Sequence, residues 1–266
     1  MERTATDRLA DVAVRAARAG GEYLAAEFRN GRVDGDYGPT DVKAVADRES
    51  EARVREVVES AFPDHAFHGE EVGRLDGERY RWVVDPLDGT NNFASGLPSF
   101  STAVAVLDET GGDPVPVVSA IYEPLPETLY LARRGEGATV NGDPLSTESD
   151  RDLAHGTVSF VPGGEAVSDP DLRAASWDVQ AALRDRCKRV LNTWSPTVDW
   201  GLLARGSIEG LVEFHPPSFE HHAGSLLAEE SGVATLAGDD VFVAAPDPDV
   251  ASSLLEAVDG IRTDRS

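Results

Sequence analysis

Residues 82–93, WVVDPLDGTNNF, constrain the fold and the chemistry of this chain more than any other segment. A β-rich run ends directly in Asp85, and Asp88 follows three residues later. Pro86 fixes its own φ angle, and Gly89 permits a tight turn. Two carboxylates this close repel each other unless a cation lies between them, and Mg²⁺ prefers carboxylate and carbonyl oxygens. The segment predicts a metal site at a strand end; an ordinary Asp/Gly turn is the alternative.

Three further acidic residues stand at helix starts or in turns. Asp47 begins an amphipathic helix, Glu70 follows a short β-rich run, and Glu220 begins another helix. Taken singly, they are explained by helix capping, a solvated turn and helix-dipole electrostatics. Gly89 and Thr90 would open a short helix whose backbone N–H groups face an anion. The case for a shared site therefore depends on the segments taken together.

The pattern of predicted helices and strands changes near residue 148. Before it, amphipathic helices precede β-rich runs bounded by turn residues, and after it short strands alternate with helices. This predicts a mostly antiparallel N-terminal α+β part, 1–148, and a C-terminal α/β part, 149–266. The predicted helices cover residues 4–30, 47–60, 169–186, 197–206, 221–231 and 247–258. The predicted strands cover residues 81–85, 101–107, 116–123, 128–133, 155–161, 188–194 and 241–245. The Gly/Asp-rich stretch 31–40 is typical of an exposed, mobile loop.

The charge of the chain argues against several partners. Its 266 residues carry 48 acidic and 24 basic side chains, a net charge of −24, and Lys43 and Lys188 are its two lysines. A surface this negative repels nucleic acid and anionic membranes. Acid-rich, lysine-poor chains suit molar salt, where charges are screened within about 3 Å. One cysteine, Cys187, excludes an intramolecular disulfide framework, and no apolar run approaches the roughly 20 residues that span a bilayer. We therefore expect a salt-adapted, cytoplasmic protein.

The order and spacing of the acidic segments resemble the inositol monophosphatase family, which belongs with the fructose-bisphosphatases and related lithium-sensitive phosphatases. The resemblance covers essentially the whole chain, and its core D-P-L-D-G-T at 85–90 is highly specific. The lesser matches are A-D-x-x-x-E at 46–51, G-E-E at 69–71, G-x-G-A-x-x-N-G at 135–142 and A-G-x-x-x-x-E-E-S-G at 223–232.

The resemblance implies a layered α-β-α-β-α sandwich of the sugar-phosphatase type and Mg²⁺-dependent hydrolysis of a phosphate monoester. It implies two Mg²⁺ per site, with a third as an alternative. The metal ligands that it implies are Glu70, Asp85 and the Leu87 carbonyl for one ion, and Asp85, Asp88 and Glu220 for the other. The other implied site residues are Asp47 and Thr90, which activate water, and Gly89, Thr90, Ser195 and Glu213, which bind substrate.

The last metal-binding segment departs from the family pattern. The family usually has W-D there, whereas this chain has F-E, so Glu220 adds one methylene to the ligand. A working site is still expected, because main-chain adjustment can absorb the longer side chain. His221 and His222 follow, and imidazole suits softer metals than Mg²⁺. They are interpreted as surface or packing residues, with a changed metal preference as the alternative.

Two other departures concern the loop and the sugar pocket. Asp36 stands where the family usually has a lysine, with Lys43 a few residues later, which argues against a third, loop-borne metal site. The segment 191–196, LNTWSP, replaces R-S-x-G-[ST]-A, which normally lines the sugar pocket. Trp194 in place of glycine removes volume and flexibility, so the reaction type follows better than the substrate.

The favoured function is hydrolysis of a small polyol or sugar phosphate, with inositol monophosphate and fructose 1,6-bisphosphate both kept as substrates. A nucleotide 3′-phosphatase acting on adenosine bisphosphates is an alternative, but those relatives show K-E-F after D-G-T and this chain has N-N-F. A catalytically impaired binding or regulatory protein is the third reading. The resemblance also implies a homodimer.

Overall fold

The structure is a computed structural model that describes residues 4–31, 35–37, 42–149, 151–216, 218–259 and 261. Residues 32–34 and 38–40 of the predicted loop lie outside this part of the chain. Its described residues Gly35–Tyr37 form a strand that pairs with a second one, so the loop prediction is wrong there. Within them, no helix is both long enough and apolar enough to cross a bilayer. The described helices are α1 (Ala5–Asn30), α2 (Val45–Ala61), α3 (Thr90–Ser95), α4 (Gly164–Ser168), α5 (Pro170–Arg184), α6 (Pro196–Ala204), α7 (Ser218–Ser231) and α8 (Pro248–Val258), with a 3₁₀ turn at Leu153–His155.

The N-terminal half builds a short hairpin and an eight-stranded sheet. Its strands are β1 (Gly35–Tyr37), β2 (Val42–Ala44), β3 (Ala66–Gly69), β4 (Gly73–Leu75), β5 (Tyr80–Asp88), β6 (Ser101–Asp108), β7 (Val115–Glu123), β8 (Thr128–Arg133), β9 (Gly137–Val140) and β10 (Asp143–Pro144). β1 and β2 form the hairpin, and the large sheet runs β10-β9-β8-β7-β6-β5-β3-β4. All its pairs are antiparallel except β3 with β5.

The C-terminal half builds a five-stranded mixed sheet. Its strands are β11 (Thr157–Pro162), β12 (Arg189–Leu191), β13 (Gly210–Phe214), β14 (Ala234–Ala237) and β15 (Val241–Ala245). The order of the strands is β12-β11-β13-β15-β14. β11 is parallel to its neighbours β12 and β13. β15 is antiparallel to its neighbours β13 and β14. The division proposed at 148/149 falls between the two sheets and stays a prediction.

The two sheets and three helix pairs form five layers, as the resemblance implies. α1 and α2 bury their apolar faces on one face of the large sheet, where Trp82 belongs to their core. α7 packs on the other face, around Leu226 and Leu227, and with α6 it also contacts the small sheet. α5 and α8 cover the outer face of the small sheet. The α-β-α-β-α prediction is therefore confirmed, and α6 and α7 lie between the sheets.

The first helix begins and ends where its sequence predicts and packs closely. Thr4 caps it by accepting from the Asp7 backbone N–H at 3.1 Å, and the Asp7 carboxylate accepts from the Thr4 N–H in return. Gly31 ends it at φ +65°. Inside it, a Cβ on Gly20 would lie 2.6 Å from Ser50 Oγ on α2. The glycine lets the two helices approach.

Most predicted elements appear within a few residues of their expected bounds. The main exception is the strand predicted over 188–194, which ends at Leu191. From Asn192 onward the chain leaves the sheet, and the Thr193 carbonyl oxygen accepts from the Asn92 side chain on α3 instead. The sequence patterns also did not identify α4 or β14.

Candidate active site

The end of β5 carries two of the predicted ligands. β5 pairs regularly with β6 from Tyr80 to Asp85, and the register then shifts before Asp88. Residues three apart face opposite sides of a regular strand, but a bulge re-aims them. Carboxylate oxygens of Asp85, Asp88 and Glu220 lie within 4.8 Å of one another. The bulge therefore turns a buried strand into the base of an acidic cluster.

Neighbouring hydroxyl groups fix the backbone of this bulge. The Pro86 carbonyl oxygen accepts from Ser50 Oγ at 2.8 Å and from Thr102 Oγ1 at 3.0 Å. Leu87 N donates to Asp85 Oδ1 at 3.0 Å. These bonds tie the strand end to α2 and to β6, so the carboxylates are held by a rigid frame.

The start of α3 connects the bulge to Asp47. Gly89 has a φ of +89°, and a Cβ on it would lie 2.8 Å from the Ser99 carbonyl oxygen, so the turn requires glycine. Thr90 Oγ1 lies 2.9 Å from the Leu87 carbonyl oxygen and 3.3 Å from Asp47 Oδ1. A hydroxyl has a single proton, so these acceptors compete for it. The buried Asp47 therefore reaches the cluster through Thr90.

Asp88 is anchored by the start of α6. Its Oδ2 accepts from Ser195 Oγ at 2.9 Å, from Thr197 N at 2.8 Å and from the Thr197 hydroxyl. All three donors act on the same carboxylate oxygen, which fixes the orientation of the Asp88 side chain. The hydroxyl of Ser195, predicted to bind substrate, is thus engaged in holding Asp88.

The exposed Glu70 is positioned by the buried carboxylate of Glu51. The two oxygens of Glu51 accept from the backbone N–H groups of Glu71 and Val72, each at 2.8 Å, and hold the turn after β3 in place. A Cβ on Gly69 would lie 2.2 Å from Glu51 Oε2, so the turn can approach only without a side chain there. Glu51 fixes where the exposed Glu70 side chain begins.

Burial and mutual repulsion make the cluster costly to ionise. Burial raises the pKa of Asp85 well above its usual range, and four neighbouring carboxylates raise it further: Glu70, Glu220, Asp88 and Asp47. Burial followed by the charge of Asp88 raises the pKa of Glu220 to about 8. Burial raises the pKa of Asp88 to about 6 even though the Thr197 and Ser195 bonds lower it. A bound cation would relieve all three groups at once.

The cluster opens onto a cavity of about 370 Å³. Eight of the predicted site residues line it: Glu70, Asp85, Leu87, Asp88, Gly89, Thr90, Ser195 and Glu220. The remaining wall is made by the end of β11 and the start of α4, residues 161–164. The cavity therefore places an acidic floor under a space the size of a small ligand.

Glu213 lies outside the cavity lining, and its contact with substrate stays a prediction. Its side chain is fully buried, and it does not line the cavity. One oxygen accepts from Trp200 Nε1 at 3.1 Å, and the other lies 2.7 Å from His221 Nδ1. The carboxylate is occupied in packing β13 against α6 and α7, which explains why it does not face the ligand space.

The histidines after Glu220 and the loop residues are the other departures from the family pattern. His221 packs against Trp200 and Phe242, and the cavity lining includes neither His221 nor His222. Both histidines therefore fit the packing interpretation. The side chains of Asp36 and Lys43 lie outside the described part of the chain, so the third metal site stays an expectation.

Several residues that position the site were given no role from the sequence. Glu51 had a detectable signal, because it ends the A-D-x-x-x-E match and lies four residues after Asp47 on one face of a predicted helix. Thr197 and Asn92 had none, since they bond to residues 109 and 101 positions away in the chain. Asp199 lines the cavity, and burial raises its pKa to about 7.

Known proteins are similar to this chain in sequence and in fold. The profile of the Inositol monophosphatase family matches residues 5–262. A fructose-1,6-bisphosphatase/inositol-1-monophosphatase from Aquifex aeolicus is 32% identical over 86% of this chain and 86% of its own. The Nus factor SuhB of Haemophilus influenzae is 32% identical over 84% of this chain and 82% of its own.

Solved structures agree with the architecture. The inositol monophosphatase from Anabaena (Nostoc) superimposes with a TM-score of 0.80 at 27% identity, covering 96% of each chain. The suhB protein of Bartonella henselae gives a TM-score of 0.84 at 24% identity, covering 95% of this chain and 98% of its own. The match to the family profile spans almost the whole chain. The cluster holds three of the four carboxylates that the resemblance assigns to metal, namely Asp85, Asp88 and Glu220. This chain belongs to the inositol monophosphatase family, a family of phosphatases.

Proposed function

We propose that this protein is a Mg²⁺-dependent phosphatase that hydrolyses a small polyol or sugar phosphate monoester. The observation that carries the proposal is the cluster of Asp85, Asp88 and Glu220 at the floor of the cavity. Myo-inositol 1-phosphate and fructose 1,6-bisphosphate are the proposed substrates. The Aquifex aeolicus relative, whose name joins both activities, supports keeping both.

The donor set fits a hard divalent cation. It consists of carboxylates with a backbone carbonyl, and Mg²⁺ prefers such oxygen ligands over nitrogen or sulfur. The raised pKa values of Asp85 and Glu220 come from burial and neighbouring negative charge, which a cation would offset. We assign Glu70, Asp85 and the Leu87 carbonyl to one ion, and Asp85, Asp88 and Glu220 to a second.

The protein groups would position the phosphate and the water. Two bound divalent cations supply charge neutralisation on phosphate oxygens and acidify an attacking water. Thr90 Oγ1 lines the cavity and can accept a hydrogen bond from the attacking water while donating its own to the Leu87 carbonyl or to Asp47. Asp47 acts through Thr90 and is a positioning residue. The N–H groups of Gly89 and Thr90 would hold phosphate oxygens.

Phosphate release tests the proposal directly. Inositol 1-phosphate, fructose 1,6-bisphosphate and adenosine 3′,5′-bisphosphate would be compared with Mg²⁺ in molar KCl. We expect turnover of a polyol or sugar phosphate that stops with chelator and in Asp85→Asn, but not in the control Glu256→Gln, an exposed glutamate on α8. Folded wild-type protein that releases no phosphate from any substrate would reject the proposal.

A second candidate follows from the relatives named Nus factor SuhB. A role as a protein-binding factor would not need the metal site, and the net charge of −24 favours a basic protein surface over nucleic acid as its contact. Loss of phosphate release in Asp85→Asn with unchanged protein partners in pull-down would separate the two roles. A homodimer in the cytoplasm remains our expectation for either role.

A further inference from the structure

Trp194 is an exposed aromatic side chain at the cavity. The chain has four tryptophans, of which Trp82 and Trp200 are fully buried. Trp177 and Trp194 are 63% and 47% exposed. Trp194 lines the cavity, whereas Trp177 lies on α5 and does not. Trp177 therefore serves as a matched control for Trp194, because it is also exposed but lies away from the cavity.

The backbone at Trp194 is in a conformation that suits glycine. Its φ is +58°, in the left-handed region, which is uncommon for a bulky residue. Strain of this kind persists where the surrounding structure imposes it, and it concentrates at functional sites. The Trp194 backbone N–H donates to Asn192 Oδ1 at 3.2 Å, which stabilises the turn. The fold thus holds an indole where a glycine would adopt the same turn without strain.

Both neighbours of Trp194 are anchored to the acidic site. The Thr193 carbonyl oxygen accepts from Asn92 Nδ2 at 2.7 Å, and Thr193 Oγ1 lies 2.9 Å from Asp199 Oδ2. On the other side, Ser195 Oγ donates to Asp88. The residue between two such anchors has a fixed position relative to the carboxylate floor. The backbone that carries the indole is therefore held in place at the cavity wall.

We propose that Trp194 determines substrate specificity by packing against the apolar face of a ring-shaped polyol phosphate whose phosphate lies at the carboxylate cluster. This inference rests on the proposed function. A tryptophan offers a large flat apolar surface, and a cyclic polyol has C–H groups on its ring faces that can cover it. An acyclic phosphate such as glycerol 2-phosphate has no ring face to pack there. The indole would therefore favour cyclic substrates while leaving the phosphate end unchanged.

The test compares a cyclic with an acyclic substrate in matched variants. Trp194→Gly removes the indole and suits the left-handed φ, Trp194→Phe keeps an aromatic ring, and Trp177→Ala is the control. For Trp194→Gly we expect kcat/KM on myo-inositol 1-phosphate to fall at least tenfold, mainly through KM. Its kcat/KM on glycerol 2-phosphate should stay within threefold of wild type. Trp194→Phe should retain most activity on both, and Trp177→Ala should match wild type.

A binding measurement gives a readout independent of turnover. Myo-inositol with inorganic phosphate and Mg²⁺ should quench the tryptophan fluorescence of wild type and of Trp177→Phe, and should not quench that of Trp194→Phe. Equal losses on both substrates would indicate a merely structural role and overturn the proposal. Higher turnover of inositol 1-phosphate in Trp194→Gly would make the indole a steric block and overturn it as well. If wild type hydrolyses neither of these substrates nor fructose 1,6-bisphosphate, the proposed function fails and this inference fails with it. Active wild type with unchanged Trp194 variants rejects only the inference.

Discussion

Replacing Glu220 with glutamine should stabilise the metal-free protein and weaken its response to metal. Burial and the charge of Asp88 raise the pKa of Glu220 from 4.5 to about 8. Between these pH values the folded state keeps a proton that the unfolded state has released. The free energy of unfolding therefore falls as pH rises through this window, by about 1.4 kcal/mol per pH unit for one group. Glutamine carries no charge and removes this loss.

The size of the effect follows from the same window. From pH 4.5 to pH 7 the loss amounts to about 3 kcal/mol, taken as a ceiling because the cluster shares its protons. For a chain of this length that corresponds to roughly 6–12 °C in Tm. In chelator, Glu220→Gln should thus exceed wild type in stability at pH 7, and the two should converge near pH 4.5. Mg²⁺ at a hundred times its Kd should stabilise wild type by about 2.7 kcal/mol and the variant by less.

Thermal and denaturant unfolding between pH 4.5 and 8, with chelator or with Mg²⁺, would measure both effects. Glu256→Gln, which removes an exposed charge on α8, is the control and should track wild type throughout. Equal stability of Glu220→Gln and wild type in chelator at pH 7 would refute the reasoning. A variant that gained as much from Mg²⁺ as wild type would remove Glu220 from the ligand set.

The remaining predictions concern turnover, metal affinity and salt. Asp85→Asn should lower kcat by orders of magnitude because this carboxylate is assigned to both ions; near-wild-type phosphate release would contradict that assignment. Glu51→Gln should weaken Mg²⁺ binding measured by calorimetry, because an amide nitrogen cannot accept a hydrogen bond from the second backbone N–H group. A hydrogen bond to a charged group contributes about 1.5–3 kcal/mol. Unchanged Mg²⁺ affinity would show that the turn does not need the Glu51 carboxylate. Glu220→Asp should retain or raise activity while Glu220→Ala loses it; equal activity of the two would exclude a ligand role. Tm should rise from 0.1 M to 2 M KCl as self-repulsion is screened; a flat or falling Tm would remove the basis for salt adaptation.

The local part of the site could be predicted from the residues themselves, whereas its distant members Glu70 and Glu220 followed only from the family resemblance. Asp85 and Asp88 were found because a strand, a proline and a glycine lie within a few residues of them. The family resemblance suggested Glu213, but a motif match does not tell which face of the central strand β13 borders the cavity. That choice depends on Trp200 and His221, which fill the other side of β13. The strand predicted to reach residue 194 fails for a related reason, since Thr193 bonds to side chains far along the chain.

Helix α2 explains how a site of repelling charges is held together. Asp47, Ser50 and Glu51 are buried at spacings of three and four residues, so they share one face of the helix. Each side chain reaches a different segment: Thr90 at the start of α3, the Pro86 carbonyl in the bulge, and the turn that carries Glu70. The bonds made by Ser50 and Glu51 are to backbone groups, so they hold the segments in place whatever the charge of the metal ligands. The frame can therefore keep the carboxylates together before a cation arrives, and the repulsion among them becomes binding energy for the cation that relieves it.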